Sequence, residues 1–225
     1  MQYKFRGVVG AARQALRQLR RGDRVSIMTF NDSTRLVSSF TDDLDSVERD
    51  IQEVLDLRFG GRTYILQAVA HAASYFLQDK RTHRRRAVLI ITDNLGDRSS
   101  KKERSVIHNL WEADALLSGL IIPDRGYPVR RAIVAVIAPY ALAMVGGVDH
   151  IVEQTGGDKI RSDDPGSAFP EMMRRIRSRY SLYYPTPEGK PDSFRSIRVE
   201  LSPDTQTRFP EARVYARRGY RLTRP

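Results

Sequence analysis

An α/β fold, with a doubly wound, mostly parallel sheet and a small C-terminal β extension, is predicted by three observations. Arg86-Ala87-Val88-Leu89-Ile90-Ile91-Thr92-Asp93 is a short, unbroken apolar run, as expected of a parallel strand covered on both faces. Strand-like stretches alternate with helix-period stretches through residue 179, the pattern of helices laid on both faces of a sheet. After Tyr180 the apolar period changes to two. The boundary therefore divides an α/β unit, residues 1–179, from an extension, residues 180–225.

The first helix carries Val8, Ala11, Ala12, Ala15, Leu16 and Leu19 at helical spacing and ends at Gly22-Asp23. Arg24 to Phe30 alternates as a strand, Asn31-Asp32-Ser33 turns, and Thr34 to Ser39 returns. Thr41-Asp42-Asp43 caps a helix bearing Leu44, Val47, Ile51, Val54 and Leu55. Phe59-Gly60-Gly61-Arg62-Thr63 then leads into a helix with Leu66, Val69, Ala70, Ala73 and Phe76. Thr63 is either the N-cap of that helix or a ligand, since the glycines before it allow close backbone approach.

Asp93 ends the central strand, where loops of an open α/β sheet converge on a crevice. It either starts a turn or faces a site, and Asp97 follows in the turn-rich Asn94-Leu95-Gly96-Asp97. Lys102 to Glu112 reads as a helix and Ala115 to Ile122 as another buried strand. Pro123 to Arg131 is a loop, and Ala132 to Gln154 a broken segment passing into a helix through Val148, Ile151 and Val152. Thr155-Gly156-Gly157 stops it. A last helix spans Phe169 to Arg179, with Met172, Met173 and Ile176 inward. Tyr180 to Tyr184, Ser196 to Leu201 and Ala212 to Ala216 read as the strands of the extension.

Composition narrows the function. The chain of 225 residues is 40% hydrophobic and 29% charged, which suits a folded domain and argues against disorder. Its net charge of +11 favours acidic partners or polyanions. With no cysteine there is no disulfide, zinc thiolate or thiol chemistry. Met1 to Arg6 lacks the apolar core of a signal peptide, which leaves the compartment undecided. The most apolar segment, Ala132 to Val145, is roughly fourteen residues and too short for a membrane span.

Several stretches together resemble the von Willebrand factor type A domain. These are Gly22-Asp23-Arg24-Val25, Phe30-Asn31-Asp32, Gly60-Gly61-Arg62-Thr63, Val88-Leu89-Ile90-Ile91-Thr92-Asp93 and Thr155-Gly156-Gly157. Ile176 to Pro185 and Ala216-Arg217-Arg218-Gly219-Tyr220 are similar to the bacterial VWFA-related branch, whose members are often exported. The resemblance implies a Rossmann-like fold and a metal-ion-dependent adhesion site holding Mg²⁺ or another divalent cation. That site would draw on an Asp-x-Ser-x-Ser loop, Thr63, and Asp93 in a Thr-Asp-Gly pattern where Asn94 replaces the Gly. Oxygen ligands of this kind suit a hard ion with an open position, which an acidic residue of a partner could complete.

The Asp-x-Ser-x-Ser loop and the strand before it are absent from the sequence, and Met1 falls where a Met commonly follows that loop. The expectation is a truncated or degenerate site in which Thr63 and Asp93, with Asp97 nearby, form a partial metal cage. The resemblance also places the lost strand between Arg24–Phe30 and Ala87–Thr92, leaving open edges prone to oligomerise. The leading function is a non-catalytic, protein-binding adhesion module. A second reading is a basic polyanion or nucleic-acid binder, drawn from Arg84-Arg85-Arg86 and Arg174-Arg175. A third, a metal-assisted hydrolase using Asp93 and Asp97, lacks both histidines at metal-ligand spacing and a Gly-x-Ser-x-Gly nucleophile motif.

Overall fold

The computed structural model describes residues 14, 16–56, 63–79, 85–94, 96–97, 100–123, 145–185 and 187–222. Most of the expected first helix, the Gly60-Gly61-Arg62 loop, Arg84, and most of the segments expected from Pro123 to Arg131 and from Ala132 onward lie outside these residues.

In chain order, β1 (Val25–Phe30) and β2 (Thr34–Thr41) form an antiparallel hairpin. Helix α1 (Leu44–Asp56) follows, started by Asp43, whose Oδ1 accepts from the N–H groups of Asp45 and Ser46 at 3.1 Å each. Helix α2 (Ile65–Gln78) leads to β3 (Arg86–Thr92). The short β4 (Gly96–Asp97) precedes α3 (Ser100–Glu112) and β5 (Ala115–Ile121). Then come β6 (Val145–Gly146), α4 (Asp149–Thr155), β7 (Lys159–Arg161) and α5 (Pro165–Arg177). The extension holds β8 (Phe194–Ser196), α6 (Pro203–Arg208) and β9 (Gly219–Arg221).

Three strands make the parallel sheet, in the order β3-β5-β7. The β3/β5 register runs from Arg86↔Ala115 to Thr92↔Ile121, and β7 joins β5 from Gly119↔Lys159 to Ile121↔Arg161. The core lies around β5: Leu117 and Ile121 pack with Ile65 and Val69 of α2, Leu110 of α3 and Ile151 of α4. The continuous apolar run of β5 is buried almost throughout, as a central parallel strand demands. Before β7 begins, Thr155 serves β5 in place of a neighbouring strand. Its Oγ1 accepts from Leu117 N at 3.0 Å and donates to Ile151 O at 2.8 Å. Gly156 then adopts φ +76° as the left-handed C-cap of α4. No helix among the described residues is long and apolar enough to cross a membrane.

The extension departs from expectation. Tyr180 to Tyr184 is not a strand, and its side chains other than Arg179 before it stand exposed, Tyr180 and Tyr183 by more than 90%. Without an adjacent edge to bond, alternation alone does not make a strand. Ser196 to Leu201 keeps the alternating burial, yet only Phe194–Ser196 is laddered, against Gly219–Arg221 instead of Ala212–Ala216. Two helices also start at Asp-Pro or Ser-Pro pairs that the apolar period does not mark. Asp164-Pro165 starts α5 four residues before Phe169, with Asp164 accepting from Gly166 N at 2.9 Å. Ser202-Pro203 starts α6 in the same way.

Candidate functional site

At the carboxyl end of the sheet, Asp93 follows directly on β3 and is half-buried. Thr63 lies at the same end. The first turn of α2 is tied to the β1–β2 turn by Tyr64 N donating to Asn31 O at 3.1 Å. Tyr64, not Thr63, occupies the N-cap position of α2, and no side-chain cap bond forms there, so capping does not explain Thr63. Asp97 sits in the β4/β6 ladder, its backbone opposite Val145. Thr63 and Asp93 thus stand in loops, and Asp97 in the short strand that follows.

The residue that organises this edge was passed over as a departure from a glycine pattern. Asn94 takes φ 65°, a left-handed conformation that asparagine adopts more readily than most residues. Its N–H donates to Thr92 Oγ1 at 3.1 Å, its Oδ1 accepts from Val148 N at 2.8 Å, and its Nδ2 donates to Asp149 Oδ2 at 2.8 Å. Lys159 Nζ, rising from β7, pairs with the other oxygen of Asp149. Burial pushes the Asp149 carboxyl up, but the hydrogen bonds from Lys159 and Asn94 outweigh it and hold the group below its ordinary value. The sequence signal was available: a turn asparagine where φ must be positive, facing a Gly-Gly pair at residues 146–147.

These geometries assign the fold, and the comparisons agree. Residues 2–96 match the family profile described as the von Willebrand factor type A domain. The fold is that of a von Willebrand factor type A domain. An aerotolerance-related membrane protein from Bacteroides fragilis superposes with a TM-score of 0.55 at 16% identity, over 78% of this chain and 89% of that one. A von Willebrand factor type A protein from Catenulispora acidiphila gives 0.51 at 14% identity, over 76% and 37%. The manganese-loaded TRAP protein of Plasmodium vivax gives 0.51 at 13%, over 75% and 64%. Among curated proteins no sequence matches this chain.

Type A folds commonly serve as protein-interaction modules, and some carry a divalent ion. Thr63 and Asp93, the residues the resemblance implies, each carry an oxygen-bearing side chain. Among the described residues, no group of three or more His, Cys, Asp or Glu is placed to hold a metal ion. The nearest other carboxylate network, at Asp149, is already satisfied by a lysine and an amide. Among the described residues, Thr63 and Asp93 by themselves fall short of the near-octahedral oxygen coordination that Mg²⁺ demands.

Two histidines and the described arginines of the basic clusters are likewise engaged in structural contacts. His150 Nδ1 meets the buried Glu103, and His108 Nε2 meets Glu112 at 3.2 Å, both away from Asp93 in sequence and element. Arg85 donates to Arg179 O at 2.7 Å, and Arg86 to Ala113 O and Asp79 O at 3.0 and 2.8 Å. Arg174 and Arg175 both grip Glu171, and Arg175 also reaches Asp158 at 2.8 Å. Of the two clusters behind the polyanion reading, every described arginine is used to hold the fold.

Proposed function

We propose that the chain is a non-catalytic, protein-binding module of adhesion type, which engages its partner through the loops at the carboxyl end of the sheet and without a resident divalent ion. One observation carries this reading. Asn94 clamps the loop after β3 to the start of α4 with two 2.8 Å hydrogen bonds, so Asp93 is presented on a braced surface. The pinning of Tyr64 to Asn31 steadies the neighbouring loop that carries Thr63. Loops held by a rigid scaffold are the usual seat of recognition. The manganese in the Plasmodium vivax relative shows what ion that protein holds; here a fixed loop surface takes over the role of an ion-centred contact.

The test is a peptide-display selection against the 225-residue chain, followed by titration of selected peptides against variants. Asp93→Ala is expected to weaken binding about tenfold, the loss of one charge-assisted contact, with the fold retained by circular dichroism. EDTA is expected to have no effect. Binding that vanishes in EDTA would restore an ion to the site, and binding indifferent to Asp93→Ala would move the interface elsewhere.

A further inference from the structure

Beyond α5 the chain passes into solvent with apolar side chains outward. Tyr180, Leu182 and Tyr183 are 93%, 68% and 94% exposed, and Tyr184 is exposed beside them. Water disfavours such a strip, and a concentration of exposed apolar groups marks a contact surface. The strip is held at both ends. At its root the side chain of Arg179 turns inward, donating to Gly156 O and to Tyr215 O. At its far end Tyr184 meets the ring of Tyr220 edge-on at 6.0 Å. The bond to Tyr215 O sets a second exposed apolar pair, Val214 and Tyr215, beside Arg179.

Positive charge collects at the same root. Arg85 Nη1 donates to Arg179 O at 2.7 Å, which seats an exposed guanidinium next to Tyr180. Arg177 pairs with Asp23, whose carboxylate also accepts from Arg20 N at 2.8 Å. The exposed Arg20 and Arg21 therefore stand against the C-terminus of α5. Arg213 is exposed just before Val214. Glu171 answers Arg174 and Arg175, and Asp23 answers Arg177. Among the described residues no carboxylate pairs with Arg20, Arg21, Arg85 or Arg213, so their charge is left over.

We infer that this root of the extension is a peripheral docking face for an anionic lipid bilayer, with Tyr180, Leu182 and Tyr183 at the interface and the four arginines on lipid phosphates. The layout selects that occupant. Tyrosine rings settle at the headgroup level, a leucine enters the acyl boundary, and guanidinium groups at the rim meet phosphate. A single-stranded nucleic acid needs bases stacked on aromatics interleaved with cations. No basic residue falls between Tyr180 and Tyr184, and Leu182 offers no ring to a base. The net charge of +11 adds attraction to an anionic surface. Arg85 stands directly before β3 and Asp93 directly after it, so the docking face and the recognition loops proposed above lie about 25 Å apart along that strand. A docked chain holds Asp93 toward solution, although the docking itself does not depend on what Asp93 binds.

The test is flotation of the 225-residue chain with vesicles of phosphatidylglycerol and phosphatidylcholine, beside vesicles of phosphatidylcholine alone. Binding is expected to the anionic vesicles only, and to weaken as salt rises. The triple change Tyr180→Ser, Leu182→Ser, Tyr183→Ser is expected to weaken it at least tenfold, and the pair Arg20→Gln, Arg21→Gln about tenfold. Both variants should keep the wild-type circular dichroism, because these side chains are exposed. In Tyr183→Trp, the emission gained over the wild type is expected to shift to the blue on anionic vesicles and to be quenched by brominated acyl chains. Four results overturn the inference. One is no flotation with anionic vesicles, and another is equal flotation with neutral ones. The third is undiminished binding by the triple-serine variant, which places the contact elsewhere. The fourth is an oligothymidine bound more tightly than the vesicles and released by the same three changes, which makes the strip a base-stacking surface.

Discussion

The carboxamide of Asn94 fills the space in which a side chain on Gly147 would have to lie. The amide that bonds Val148 N and Asp149 can reach them only because residue 147 has no Cβ. Gly147→Ala is expected to expel that carboxamide and destabilise the protein by about 2 kcal/mol, within the range for overpacking plus lost hydrogen bonds. Asn94→Gly keeps the positive φ but removes the bonds, at a cost of about 1 kcal/mol. In an Asn94→Gly background, Gly147→Ala should cost much less. Urea denaturation of the four proteins forms a double-mutant cycle, and strict additivity would show that the two residues do not share the space.

Glu171 gives the fold a pH-sensitive brace. Hydrogen bonds from Arg174 and Arg175 hold its carboxyl far down, from the ordinary 4.5 to about 2. A depressed carboxylate stabilises the fold fully above its unfolded pKa, and that contribution fades as pH falls from about 4.5 toward 2. The side chain is 34% exposed, so solvent screening keeps the effect below about 1 kcal/mol. Glu171→Gln is therefore expected to be slightly less stable at neutral pH and indistinguishable near pH 2. Thermal melts across that range check it, and a gap that widens toward acid would reverse the assignment.

The basic charge should make only a weak, sequence-blind contact with nucleic acid. Arg85, Arg86, Arg174 and Arg175 are already held by carbonyls and carboxylates, so phosphate would have to compete with intramolecular partners. Duplex binding is expected to fall steeply with salt and to disappear near physiological ionic strength. A sequence-selective complex that survives there would put the polyanion reading ahead of the protein-binding one.

Long apolar segments made most of the fold legible. The expected Arg86–Asp93 and Ala115–Ile122 strands are β3 and β5 to within a residue, because an unbroken apolar run of strand length leaves little room for another reading. The C-terminal end of α4 and the start of α1 followed from Gly156 and Asp43, whose backbone roles are local. The three-residue β7 and the two-residue β4 and β6 were missed, since neither length nor period marks elements so short. In the extension, alternation was read as strand where pairing decides, and pairing is a tertiary fact. At the site, the sequence pointed to Thr63 and Asp93, but the clamp through Asn94, Asp149 and Lys159 joins residues up to 65 positions apart and had no local pattern.

How firmly residues 180–225 belong to the body behind them can be read at Trp111, the sole tryptophan of the chain. Its indole stacks on Phe194 at 5.5 Å and 27°, and Arg217 lies over the same ring at 5.8 Å. Arg217 Nη2 donates to Trp111 O and Nε to Gly219 O, both at 2.7 Å, while Trp111 Nε1 donates to Gln154 O at 3.1 Å. One guanidinium thus joins α3 to the strand that closes the extension. Arg217→Ala would remove the side-chain donors to Trp111 O and Gly219 O and uncover one face of the indole, costing about 2 kcal/mol. Lysine restores the charge but not the planar fork, so Arg217→Lys is expected to recover only part of that loss. Trp111 emission should shift to the red in Arg217→Ala, less in Arg217→Lys, and in step with the urea midpoint. If emission and midpoint both stay at their wild-type values, the extension is not docked through this contact, and residues 180–225 form a unit separate from the α/β body.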